Sequence, residues 1–303
     1  MTLQHDNLSP TLLAWAEQGR VVNPNGMDIF VTEHGPRQAP TLLFIHGFPT
    51  SSHDWRHPVA LLAADYHCVA LDLPGFGLSD KPIAYSYSLF QQADTVEAVA
   101  AALDLADVHV ISHDMGTSLH TELLARKHRG TLTFTLASST FLNGSILKTH
   151  AQLTEFQKML ETPSRIPEAV QVCAQMLPDY VPGLKQIMTR PDRISDDDAQ
   201  VMTELMAYRG GNARLPNAYG YVRERYLHQQ RWLEALIHES ETAPVQLVWA
   251  IDDPVAVIAM GRSLAEMAPN ACYTEVPDSG HFLPFENPQA VAAAVTAFVP
   301  ISH

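Results

Sequence analysis

"VISHDMGTSLH", residues 110–120, joins a short apolar run to a segment of helical character and places an aspartate at the join. A sharp strand-to-helix turn crowds the backbone, so the positions two residues either side of its apex must be small. Ser112 and Gly116 meet that requirement only if Asp114 is the apex. With Ser112 as the apex, the flanking positions would be Val110 and Asp114, and neither is small. The stretch therefore reads as a tight elbow tipped by a carboxylate, where a serine hydroxyl is the commoner occupant.

Working outward, "TLLFIHG" (41–47), "HCVALDLPG" (67–75), "VHVIS" (108–112), "TLTFTLASS" (131–139), "VQLVWAI" (245–251) and "ACYTEV" (271–276) are short runs expected to be strands. The more continuously apolar of them suit strands buried on both faces. Helical segments alternate with them: residues 55–65, 90–105, 116–130, 261–268 and 288–299. Alternation of this kind implies an α/β fold with a mostly parallel central sheet, flanked by helices and joined by right-handed crossovers. At the N-terminal end, "SPTLLAWAEQG" (9–19) is expected to be a short helix capped by Ser9. "RVVNPNGMDIFVTEHG" (20–35) then reads as two strands joined at Asn25-Gly26. Between Asn143 and Leu236 the rhythm changes: no comparable buried strand occurs, and stretches such as "HAQLTEFQKML" and "DDDAQVMTELMAY" are helical. The expected division is a sheet domain of residues 1–142 and 237–303, interrupted by a helical cap, or lid, of residues 143–236.

The totals exclude several classes of function. The 303 residues are 46% hydrophobic and 17% charged, which supports a sizeable core. A formal net charge of −14 argues against nucleic acid or an anionic membrane as the main partner. Three widely spaced cysteines form no CxxC pair, so neither a disulfide framework nor a zinc site is expected, and a reducing, cytoplasmic setting fits. No signal peptide and no run near 18 apolar residues is evident. The fifteen histidines show no metal-binding spacing. No metal and no cofactor are expected, and a homodimer is left open.

Four polar features fall at expected strand ends, where open α/β sheets bind ligands. They are "HGFP" (46–49), the elbow at Asp114, "AIDDP" (250–254) and "DSGHF" (278–282). Each alone reads more readily as a turn or a cap. Together they run nucleophile, acid, histidine, and the chain resembles the α/β-hydrolase fold family over nearly its whole length. The aspartate at the apex resembles that of epoxide hydrolases and haloalkane dehalogenases, whose elbows commonly read G-H-D-W-G. An aspartate is ordinarily ionised at pH 7 and needs no base to become nucleophilic. It can displace a leaving group from saturated carbon, leaving an alkyl-enzyme ester; attack on a carboxylic ester would give an anhydride instead. His281 would then act as general base to the water that cleaves the ester. The resemblance places the acid just before the proline, so Asp253 would orient His281, with Asp252 as the fallback. It also implies an oxyanion hole from the backbone N–H groups of Phe48 and Met115, with His46, Gly47, Pro49 and Gly116 shaping the turns.

The leaving group is read from what surrounds the elbow. Haloalkane dehalogenases usually take halide-binding N–H donors from a tryptophan after the nucleophile and from an asparagine or a second tryptophan. Here the matching positions hold Met115 and Phe48. The arginine that fluoroacetate dehalogenases carry after the aspartate is absent too. An epoxide needs an acid for its oxygen, usually a pair of lid tyrosines, and the insertion offers Tyr180, Tyr208, Tyr219, Tyr221 and Tyr226. "SHDMGTSLHTELLAR", "LNGSI" and "RYLHQQRWLEAL" further resemble the branch related to the mesoderm-specific transcript protein. Aligning Arg231-Trp232 with that branch puts Tyr221 on its lid tyrosine, with Tyr226 as the fallback. The expectation is an epoxide hydrolase acting on a small apolar organic substrate and water. A haloalkane or haloacid dehalogenase is the alternative, and a binding protein on the same scaffold the reading from another class.

Overall fold

Side-chain alternation along the central strands organises the core. On β3 (Thr41–Ile45), Leu43 and Ile45 enter one apolar cluster, while Leu42 and Phe44 enter another on the opposite face. Strand geometry dictates that split, because successive side chains point to opposite sides of a sheet. The computed structural model describes residues 8–144 and 146–301. The other strands are β1 (Gly19–Val22), β2 (Ile29–His34), β4 (His67–Leu71), β5 (Val108–His113), β6 (Leu136–Leu142), β7 (Val245–Ala250) and β8 (Cys272–Val276). They form one sheet in the order β1-β2-β4-β3-β5-β6-β7-β8. β2 pairs antiparallel with both β1 and β4, and every later pairing is parallel. This is the expected α/β architecture.

Two local expectations are corrected. The run at 131–139 does not begin a strand: β6 starts at Leu136 and extends through Thr140-Phe141-Leu142. Thr131 N instead closes the end of the preceding helix on Arg126 O, and Thr133 N donates to Glu97 Oε1, so residues 131–134 serve as a connection. The first two strands are joined not by a two-residue turn but through a short 3-10 turn at Pro24–Gly26, with Asn25 in the left-handed region.

Helix α1 (Pro10–Ala16) precedes the sheet, and Ser9 Oγ accepts from Leu12 N as expected of an N-cap. α2 (Arg56–Leu62), α3 (Leu89–Ala102) and α4 (Met115–His128) connect the central strands. Between β6 and β7 the described residues form helices and no strand: α5 (Glu155–Glu161), α6 (Ile166–Gln175), α7 (Leu177–Lys185), α8 (Asp196–Ala207), α9 (Leu215–Ala218) and α10 (Tyr221–Thr242). α10 is continuous through position 236 and leads directly into β7. α11 (Ile258–Met267), α12 (Leu283–Glu286) and α13 (Pro288–Phe298) complete the fold. Buried residues of α3, α4, α10 and α11 share the cluster on one face of the sheet, and those of α2 and α13 the cluster on the other. No helix among the described residues is long and apolar enough to cross a membrane.

Candidate active site

Parallel strands β3, β5, β6 and β7 end at the same edge of the sheet, and the site is built from the loops that leave them. Asp114 follows β5 with φ 48° and ψ −118°, a conformation an L-residue adopts only under constraint. The constraint is packing. A Cβ on Gly116 would lie 2.6 Å from Ile45 O, and one on Gly47 would lie 2.6 Å from Asp114 Cβ. The turn therefore closes only with glycine at both positions; a small residue at 116 is what the spacing around Asp114 requires, and Gly47 is added by the neighbouring loop. Behind it, Ser112 Oγ bonds His120 Nδ1 at 2.9 Å, and His120 Nε2 bonds Ser139 Oγ at 3.0 Å. Burial, helped by Lys127, pushes His120 down to about 3, so this chain anchors the elbow as a neutral network.

The HGFP loop closes over the same carboxylate. Phe48 N donates to Asp114 Oδ2 at 2.8 Å. His46 is spent on the turn, with Nε2 accepting from Leu73 N at 3.0 Å and Nδ1 donating to Gly47 O at 2.7 Å. Pro49 follows a cis peptide, and its carbonyl accepts from Tyr180 Oη at 3.0 Å. Met115 opens α4, so its amide is among those a helix leaves without an intrahelical partner, while its side chain is buried in the core. Neither Met115 nor Phe48 has a side-chain N–H to offer.

His281 lies opposite Asp114. Its Nδ1 is 2.9 Å from Asp253 Oδ2 and its Nε2 is 3.7 Å from Asp114 Oδ1. Asp253 is thus the carboxylate that meets the histidine; Asp252 instead donates its backbone N–H to Ser279 O. Asp253 is fully engaged: Oδ1 accepts from Val255 N and Ala256 N, and Oδ2 also accepts from Asn143 Nδ2 at 2.7 Å. Burial opposes charge on both groups. The charge and hydrogen bond of Asp253, with the charges of Asp114 and Glu286, nevertheless push His281 up to about 9. Asp253 in turn is held low, its burial outweighed by His281 and Asn143. His113 donates from Nε2 to His281 O at 2.7 Å; burial, then the charge of His281, pushes it down to about 4, so it serves as a strut.

Tyr221 and Tyr219 pack against Phe48, whose amide holds Asp114. The Phe48 ring lies 5.7 Å from the Tyr221 ring and 5.3 Å from the Tyr219 ring, and the two tyrosines are 5.4 Å apart. Burial, then the charge of Asp114, pushes the Tyr221 phenol well above its ordinary value, so it stays protonated at any physiological pH. Tyr226, the other expected tyrosine, is half-buried with Lys148 Nζ 4.5 Å from its ring centre. It does not join the group around Phe48. No cluster of three potential metal ligands occurs among the described residues.

Residues 40–288 match the family described as alpha/beta hydrolase fold. The chain belongs to that family. LipZ of Mycobacterium tuberculosis is 37% identical over 292 residues, which cover 96% of this chain and 99% of the relative. The human mesoderm-specific transcript homolog protein is 32% identical over 257 residues, 82% of this chain and 75% of its own length. A haloalkane dehalogenase of Bradyrhizobium diazoefficiens is 39% identical over 103 residues, covering 34% and 33% of the two chains. Among solved structures, Cfl2 from Burkholderia cenocepacia superposes with a TM-score of 0.78 over 93% of this chain and 95% of its own, at 21% identity. This α/β hydrolase therefore has dehalogenase and mesoderm-specific-transcript-like relatives on one fold.

Sequence reasoning missed three side chains in the site. Asn143 sits at the end of β6 with φ 42° and holds Asp253, while its Oδ1 accepts from Ala250 N. Glu286 is buried and accepts from the backbone N–H groups of Thr189, Arg190, Gly280 and Phe282, stitching the helical segment to the His281 loop. Arg225 is buried beside Tyr221. Only Asn143 carried a local signal, a residue tolerant of the left-handed region just after an apolar run.

Proposed function

We propose that this α/β hydrolase opens epoxides through a covalent ester on Asp114. The observation that carries the reading is the buried Tyr219–Tyr221 pair over Phe48, beside a carboxylate whose neighbours at positions 48 and 115 lack side-chain N–H groups. Asp114 Oδ1 attacks an epoxide carbon, the carbon–oxygen bond breaks, and the departing oxygen takes the proton of Tyr221. Meanwhile Phe48 N–H holds the other carboxyl oxygen, fixing the attack geometry.

The second step explains how a histidine with so high a proton affinity can act as a base. Alkylation makes Asp114 a neutral ester and so removes one of the charges that favour the His281 imidazolium. Its proton affinity drops when a base is required. The neutral imidazole takes a proton from water, and the hydroxide adds to the Asp114 carbonyl carbon. The oxyanion is stabilised by the N–H groups of Phe48 and Met115. Collapse breaks the bond to the alkyl oxygen, which leaves as the second hydroxyl of the diol on taking a proton from His281. The Asp114 carboxylic acid that remains gives its proton up to solvent, and the Tyr221 phenolate takes one up, which restores both groups.

A panel of aliphatic and aryl epoxides is expected to yield vicinal diols, and Asp114→Asn is expected to yield none. Haloalkane or haloacid dehalogenation is the second reading, favoured by the dehalogenase relative that matches one third of the chain. Halide release from bromoalkanes or haloacids with no diol from any epoxide would select it.

A further inference from the structure

Among the described residues, Arg225 is the only buried arginine, with 3% of its surface exposed. Its Nε donates to Ser118 Oγ at 2.9 Å, and its Nη2 has no protein hydrogen-bond partner. The less buried Arg56 and Arg126 each hold carboxylates, Asp198 for the first and Asp94, Glu97 and Glu122 for the second. Arg225 forms no such pair. A guanidinium is always charged, and removing it from water without an anion is costly, so an unpaired one at this depth calls for a partner.

The position of Arg225 relative to the reacting groups says where that partner belongs. Asp114 and Ser118 are one turn apart at the start of α4; Tyr221 and Arg225 are one turn apart on α10. The Arg225–Ser118 hydrogen bond closes this rectangle, and the guanidinium carbon lies 5.0 Å from the Tyr221 ring centre. Ser118, which Arg225 holds, therefore lies about one helical turn, roughly 5–6 Å along the axis, from the Asp114 position. Glu161 faces the same tyrosines and Arg225. It forms no salt bridge, and burial pushes its carboxyl up against the opposing charges of Arg223 and Arg225, which weakens it as a counterion.

We propose that Arg225 binds the carboxylate of the substrate, so that the natural substrate is a short aliphatic acid with its electrophilic carbon three or four bonds from the carboxyl group. The inference rests on the Asp114 reading for the identity of the electrophile, but not for the binding of the acid.

The test separates the two ideas. Butyrate and butyramide are titrated calorimetrically into the wild type, Arg225→Met and Arg225→Lys, with thermal melts to confirm folding. Butyrate is expected to bind the wild type about tenfold to a hundredfold more tightly than the amide. Arg225→Met should abolish the preference and Arg225→Lys should retain part of it. Equal affinity for the two ligands, or a preference that survives in Arg225→Met, overturns the inference. In a His281→Gln background, 4,5-epoxypentanoate should label Asp114 faster than its amide does, and that ratio should collapse in Arg225→Met. Labelling without discrimination overturns the inference alone. Discrimination in binding without labelling overturns the reading of Asp114 and leaves the anion subsite standing.

Discussion

At the scale of single residues, the site works by setting charges against one another in a buried space. His281 is flanked by Asp253 at 2.9 Å and Asp114 at 3.7 Å, and their charges, with that of Glu286, outweigh a burial that disfavours the imidazolium. Removing the Asp114 charge should therefore lower its proton affinity. In Asp114→Asn, an NMR titration of the His281 ring is expected to show a midpoint clearly below the value of about 9 in the parent. An unchanged midpoint would contradict the proposed switch from imidazolium to base. Tyr221 has a separate task. Tyr221→Phe should slow labelling of Asp114 by an epoxide about a hundredfold, the usual weight of a positioned acid. Hydrolysis of ester already formed should proceed at its normal rate. Quenched samples followed by intact mass would show both rates.

At the scale of elements, the position of Tyr221 and Arg225 depends on how α10 is held along α4. Glu122 of α4 is the clamp: its carboxylate accepts from Arg231 Nη2 at 2.6 and 2.8 Å and from Trp232 Nε1 at 2.8 Å, all on α10. Within α4 it also accepts from Arg126 Nε at 3.1 Å. The carboxylate is 1% exposed, so its removal leaves a buried indole N–H and guanidinium groups without their acceptor. Glu122→Ala is expected to lower stability in urea unfolding by about 3–5 kcal/mol, the range for breaking a buried ion pair. A loss below about 1 kcal/mol would place the interaction among ordinary surface pairs. The Glu286 contacts complement this clamp midway along the helical segment, between α7 and α8, joining residues 189–190 to the loop that carries His281.

At the scale of the whole molecule, several buried histidines must stay neutral for the chain to fold. Burial, then the charge of His281, holds His113 at about 4; burial, then Lys127, holds His120 at about 3; both lie below the ordinary 6.5. Their contribution to stability is complete above pH 6.5 and is lost as pH falls toward those folded-state values, because the unfolded chain takes up the protons first. Asp54, which burial pushes up to about 7, works in the opposite direction over the same range, as does Glu161, but His46 and His53, held low by burial, act with His113 and His120. The melting temperature is therefore expected to fall between pH 6.5 and pH 4, with a shallower dependence in His120→Gln. The chain's own order of residues made the architecture legible, because apolar runs, glycines beside the elbow and the acid-then-histidine sequence are local patterns. The rest of the site was not legible, for a physical reason. Asn143 meets Asp253 across 110 residues, Arg225 meets Ser118 across 107, and Glu286 meets Thr189 across 97. No local periodicity or spacing encodes such pairings; they exist only once the sheet and the helices above it have assembled.

The central claim is that Asp114 forms a covalent ester which His281 is needed to cleave. His281→Gln, incubated in parallel with an epoxide and with a haloalkane and then analysed by intact mass and peptide mapping, is the decisive measurement. With the epoxide, a stable increase equal to its whole mass is expected, located on Asp114 and absent from the His281→Gln/Asp114→Asn double variant. An increase equal to a haloalkane less its hydrogen halide, with no epoxide adduct, would redirect the account to dehalogenation. Diol formation at the wild-type rate with no adduct on Asp114 would contradict it.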